Sequence, residues 1–96
     1  MRVLIIGAKG FIGSHLAATM AERCELHTAD IVGEPSDRHW LISSQAPDFQ
    51  SLLNMLLPDV VVNCSGAANV GLSFQDQHAD FRLNTGLVHD LLEAIR

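Results

Sequence analysis

The sequence predicts an α/β fold: a parallel sheet with helices on both faces, here the N-terminal half of a doubly wound domain. Three observations carry that prediction. The apolar run Val3-Leu4-Ile5-Ile6 ends in a glycine turn and is followed by apolar residues at helical spacing, Ile12, Leu16 and Met20. A second β-branched run, Val60-Val61-Val62, follows a leucine stripe closed by Pro58. Strand and helix patterns alternate throughout, which implies parallel pairing with right-handed crossovers.

Each element has its own signal. Residues 2–6 read as a buried first strand and residues 11–23 as the first helix, with Arg23 near its C-terminus where a cation suits the dipole. Residues 25–30 alternate polar and apolar, as a second strand does. Gly33-Glu34-Pro35-Ser36-Asp37 is a loop. Residues 39–43 form a short third strand, its Trp40 packing at a sheet edge. Asp48 caps a helix over residues 49–57 with Leu52, Leu53, Leu56 and Leu57 as its core face. Residues 59–64 are the fourth strand, Ser65-Gly66-Ala67-Ala68 a tight turn of small residues, and residues 75–78 a polar loop. Residues 80–96 read as a last helix with Leu83, Leu87, Leu91, Leu92 and Ile95 as its apolar positions. The order is therefore β-α-β-(β)-α-β-α, half of a doubly wound sheet with an open strand edge, and no finishing element is expected within it.

The turn between the first strand and first helix carries the chemistry. Its glycines, Gly7, Gly10 and Gly13, each have a physical purpose. Gly7 takes the positive φ of the turn. Gly10 presents bare backbone, so that a ligand can approach closely, and Gly13 lets the helix lie against the strand. The helix N-terminus offers free N–H groups and a positive dipole end to a pyrophosphate. Asp30 ends the second strand seventeen positions after Gly13, near the ~20-residue offset of an acid that bonds an adenosine ribose.

Composition narrows the partners. Ninety-six residues make at most one domain, and a 48% hydrophobic content supplies its core. So short a chain buries a small share of its surface and is expected to be marginally stable alone. A formal charge of -5 with six Lys and Arg leaves no basic stripe for nucleic acid. No apolar run approaches the ~18 residues that cross a membrane, and the N-terminus has no cleavable signal pattern, which together give a cytoplasmic expectation. Cys24 and Cys64 form no C-x-x-C pair and read as reduced, buried apolar side chains. His15, His27, His39, His78 and His89 show no metal-ligand spacing, so no metal is expected.

The G-x-x-G-x-x-G spacing with Phe11-Ile12 inside it resembles the extended short-chain dehydrogenase/reductase superfamily, and within it the NAD-dependent epimerase/dehydratase family. The resemblance covers nearly the whole chain and makes residues 1–96 the N-terminal part of a single Rossmann-type NAD(P)-binding domain, the catalytic and substrate part lying beyond Arg96. It implies that backbone N–H groups of Phe11 and Ile12 contact the pyrophosphate and that Asp30, with Ile31 beside it, receives the ribose hydroxyls. A carboxylate there repels a 2′-phosphate, so NAD is expected over NADP, although Lys9 is placed to reach such a phosphate. Gln45 and Ala46 align with the family's adenine contact, where an aspartate is usual. Cys64, Ser65 and Gly66 replace a His-Leu-Ala-Ala-like stretch and keep the small residues on which ribose and nicotinamide lie. Val70 and Ser73 match a Val-x-x-Ser pattern nearby. Asn84 matches an asparagine that orders the active site, and an ordinary polar helix residue reads the same way.

That superfamily performs its proton chemistry with a Tyr-x-x-x-Lys pair. The chain has no tyrosine and Lys9 is its one lysine, so no catalytic residue is assigned within it. The resemblance implies a nucleotide-sugar epimerase, dehydratase or reductase working by hydride transfer to NAD through a keto intermediate, with a homodimer through the last helix as one option. An amphipathic stripe there is equally explained by packing on the sheet. The alternative from another class is a non-catalytic dinucleotide-sensing module of the atypical short-chain dehydrogenase type. A flavodoxin-like α/β domain is the third, although it needs no Asp30.

Overall fold

In the computed structural model of the chain, which describes residues 1–43, 47–65 and 86–96, the N-terminal apolar run becomes the central strand. β1 (Arg2–Ile6) is flanked by β2 (Glu25–Asp30) and β4 (Val60–Asn63), and β3 (His39–Leu41) pairs outside β2. All three pairings are parallel and the order is β3-β2-β1-β4, with Ile5 between Thr28 and Val62. Val3, Leu4, Ile5 and Ile6 have no exposed surface. A continuous apolar run is what a central parallel strand needs, because helices cover both its faces.

The faces divide by parity. Leu4 and Ile6 join Ala29 under α2 (Phe49–Leu56) and α3 (Leu87–Ile95), whereas Val3 and Ile5 pack with residues of α1 (Phe11–Met20) on the other side. This is the expected Rossmann-type arrangement of helices on both faces. Trp40 sits on the edge strand, half-buried against the α2 side of the core, as the sequence implied.

The boundaries differ from expectation in four places. α1 stops at Met20, not at residue 23, so Arg23 lies in the turn beyond it. Ten helical residues span ~15 Å, about the length of the five-residue strand the helix crosses back over, and more would overshoot. The helix packs through Gly13, Leu16, Ala17 and Met20 rather than through Ile12, which is 70% exposed one position off that line. α2 ends at Leu56. Leu57 adopts the left-handed conformation (φ 48°, ψ 57°) ahead of Pro58 and is exposed, so it leaves the core stripe. A proline disfavours the α conformation in the residue before it, which ends the helix there. β3 and β4 are also shorter than their sequence patterns, at three and four residues.

In α3 Leu91 is buried with Leu87 and Ala94 half-buried, while Leu92 and Ile95, two of the expected apolar positions, are exposed. Leu92 lies ~100° around the helix from Leu91 and cannot share its face. Leu83 and the rest of the expected helix before residue 86 lie outside the described residues, as do the polar loop at 75–78 and most of the small-residue turn. Among the described residues no helix is long and apolar enough to cross a membrane.

Candidate cofactor site

Three strands end in one place. Gly7 follows β1, Asp30 closes β2 and Cys64 follows β4, with β1 in the middle. The chain leaves β1 for β2 on one side and returns later to β4 on the other, so a crevice opens at the carboxyl ends of the strands. Open parallel sheets bind ligands at such a switch point. A cleft of about 420 Å³ occupies it, and Gly7, Gly10, Asp30, Ile31, Cys64 and Ser65 are among its lining residues.

The glycine loop is built by two clashes and one opening. Gly7 has φ +82°, and a Cβ there would lie 2.6 Å from the backbone nitrogen of Ser65. The loop and the turn after β4 are thus in direct backbone contact. A Cβ on Gly13 would come 2.2 Å from the Gly7 carbonyl oxygen, so this glycine lets helix and loop touch. Gly10 differs: its Cβ would meet only the Gly7 oxygen, at 3.4 Å. The protein itself leaves room for a side chain at Gly10, and that room faces the cleft.

Gly10 is also the N-cap of α1, and no side chain caps the helix. The first intrahelical bond runs from Ser14 N to Gly10 O at 2.9 Å, and the N–H groups of Phe11 and Ile12 find no acceptor among the described residues. With no acidic residue in the first turn, the positive helix end is left uncompensated beside the cleft. The side chains of Phe11 and Ile12 are exposed and do not line it, so any contribution they make comes through the backbone.

Asp30 ties the loop to β2. One carboxylate oxygen accepts from Lys9 N at 2.8 Å and the other from Ile31 N at 2.6 Å. A carboxylate has about four acceptor positions, so each oxygen keeps capacity for a further donor. Past Asp30 the wall turns apolar through Ile31, Val32, Ile42, Pro47 and Phe49, a surface suited to a flat base. Sequence reasoning identified Ile31 but missed the other four. Val32 had a local signal, its place beside the acid, whereas Ile42, Pro47 and Phe49 reach the cleft only through the fold.

The opposite wall is the turn after β4. Cys64 N donates to Ile6 O at 2.7 Å, continuing the sheet by one bond, and the Cys64 thiol is free and half-buried. Asn63 Oδ1 accepts from Ser65 N at 3.1 Å and from the Ser65 hydroxyl. That local turn places Ser65 beside Cys64 at the rim of the cleft. Gln45, Ala46, Gly66, Val70, Ser73 and Asn84 lie outside the described residues. Among the described residues no cluster of metal-ligating side chains occurs.

Relatives with this arrangement are known. A profile of the NAD dependent epimerase/dehydratase family matches residues 3–96. The chain is 29% identical to CDP-paratose 2-epimerase of Salmonella typhi over a 111-residue alignment that takes in all of this chain and 33% of that protein. Its fold superimposes on UDP-glucose 4-epimerase of Thermus thermophilus, crystallised with NAD, with a TM-score of 0.85 at 27% identity, covering 98% of this chain and 33% of that one. UDP-glucose 4-epimerase of Brucella ovis, also in complex with NAD, gives 0.79 at 26% identity, covering 97% and 31%. The chain thus spans about a third of the length of the relatives it matches. It belongs to the NAD dependent epimerase/dehydratase family.

Proposed function

We propose that this chain binds NAD, with the pyrophosphate on the N-terminus of α1 and the adenosine ribose on Asp30. The observation that carries the reading is the pairing of an uncapped helix end, open at Gly10, with a carboxylate that keeps acceptor capacity at the neighbouring strand end. Phe11 and Ile12 hold the pyrophosphate through their N–H groups, and Gly7 and Gly13 hold the loop itself. The apolar wall from Ile31 to Phe49 takes the adenine. Ser65 and Cys64 floor the nicotinamide end.

NAD is favoured over NADP because Asp30 places negative charge where a 2′-phosphate would sit. Lys9, whose amide already serves Asp30, is the one cation among the described lining residues that works against that preference. In this reading residues 1–96 form the N-terminal part of a single dinucleotide-binding domain. The whole protein is a nucleotide-sugar epimerase, dehydratase or reductase, and the chemistry NAD supplies when bound is reversible hydride transfer with a sugar carbon. What these residues do is bind and orient the cofactor.

Gly10→Val tests the assignment. A Cβ there meets only the Gly7 oxygen, at 3.4 Å, so circular dichroism and thermal unfolding are expected to stay close to those of the original chain while NAD binding in a calorimetric titration is lost. Undiminished affinity in a folded variant would remove the pyrophosphate from this loop.

A further inference from the structure

His39 opens the edge strand, yet it is only 6% exposed, and no spacing argument ties it to a function. Both ring nitrogens are engaged. Nδ1 lies 2.7 Å from Oγ1 of Thr28, its register partner on β2, and Nε2 lies 2.9 Å from the carbonyl oxygen of Val32. A carbonyl only accepts, so Nε2–H donates to Val32 O, while Nδ1 pairs with the Thr28 hydroxyl, which also reaches the Arg38 carbonyl at 3.2 Å.

The backbone adds to the tether. Ser36 N donates to His39 O at 3.0 Å, and Ser36 Oγ accepts from His39 N at 3.1 Å. Gly33, at φ +109°, lies against the ring: a Cβ there would be 2.6 Å from His39 Nε2 and 2.8 Å from Lys9 Cε. Every residue from 31 to 38 is exposed, so burial does not hold this loop in place. Its first two residues nevertheless form the cleft wall next to Asp30.

We propose that His39 is a positioning residue for the adenosine half of the bound dinucleotide. Its Nε2–H fixes the Val32 carbonyl, and with it Ile31 and Val32, which wall the ribose and base. His39 does not itself line the cleft and acts on the ligand through that segment. The inference rests on the NAD reading above and extends it to a residue outside the glycine loop.

Two amide replacements separate the nitrogens. His39→Gln carries its amide near the Nε2 position and can still donate to Val32, whereas His39→Asn reaches only the Nδ1 position and can bond only Thr28. Both lose the imidazole, so a merely structural role would cost them alike. The experiment titrates each variant with ADP-ribose and follows amide hydrogen exchange over residues 31–38. The proposal expects His39→Gln to stay within about threefold of the original affinity, and His39→Asn to lose about tenfold or more with faster exchange in the loop. Equal affinity losses in the two variants, or equal exchange, would overturn it. An original chain that takes up no ADP-ribose overturns the NAD reading, and the exchange comparison then still decides whether His39 holds the loop.

Discussion

Gly10 and Gly13 are three positions apart and differ in what an added side chain would meet. At Gly13 the obstacle is the protein, because a Cβ falls 2.2 Å from the Gly7 oxygen and 2.9 Å from Ala8 Cα. Gly13→Ala therefore forces α1 off the loop and costs about 1–3 kcal/mol, the usual range for overpacking, readable as a lower midpoint in denaturant. At Gly10 the protein leaves room, so in the NAD reading proposed above substitution there spares the fold and removes binding. Measuring both variants for both properties separates the roles, and matching profiles would contradict the distinction. In the NAD reading proposed above, Asp30 discriminates between cofactors. Asp30→Ala removes charge-assisted bonds to the ribose, each about 1.5–3 kcal/mol, and lowers NAD affinity roughly tenfold or more. NADP, already repelled by the carboxylate, loses less, and equal losses would contradict the ribose role.

Among the elements, the foot of the sheet carries an acid-sensitive contact. Arg2 joins three of them: its Nε donates to Glu25 on β2, its guanidinium to the Leu56 carbonyl at the end of α2 at 2.5 Å, and its backbone N–H to Asp59 ahead of β4 at 2.7 Å. The Arg2 guanidinium, and after it His27 at 2.9 Å, holds the Glu25 carboxyl down from the usual 4.5 to about 2. A carboxyl with a lowered folded pKa adds stability above the unfolded value and loses it as pH falls toward the folded one. The contribution of Glu25 therefore disappears between pH 4.5 and about 2. Both side chains are more than a third exposed, so solvent screens the pair and its share is modest. Glu25→Gln should make acid unfolding shallower across that window, and an unchanged pH profile would contradict the account. Asp48 acts in the same direction, because the Ser51 hydroxyl and then the Ser51 N–H hold its carboxyl below the ordinary range while it caps α2. The other end of α2 carries strain. Leu57 is the one non-glycine residue with positive φ among those described, and its side chain is 70% exposed. Leu57→Asn, a residue that tolerates that conformation, should raise stability by up to about 1 kcal/mol in thermal unfolding.

At the scale of the molecule, what sequence reveals depends on how local its cause is. The glycine loop, Asp30 and the central strand were legible because each is set by residues adjacent in the chain: a positive φ at Gly7, an acid at a strand end, a run buried on both faces. Boundaries were less legible. α1 ends at Met20 to match the span of β1, and Leu92 of α3 faces outward because its helix packs along another line. The apolar wall of the cleft was largely hidden, since Ile42, Pro47 and Phe49 join Ile31 only once β3 and α2 are placed. His39 was hidden for the same reason, its role depending on a carbonyl seven residues away that folds back onto it.

In the reading proposed above, the uncapped start of α1 and Asp30 form an NAD site. Calorimetric titration of the chain with NAD and NADP in parallel, on a sample shown folded by circular dichroism, tests it most directly. Saturable binding of NAD, tighter than that of NADP, is the expected result. A folded chain that takes up neither dinucleotide, or that prefers NADP, would contradict it.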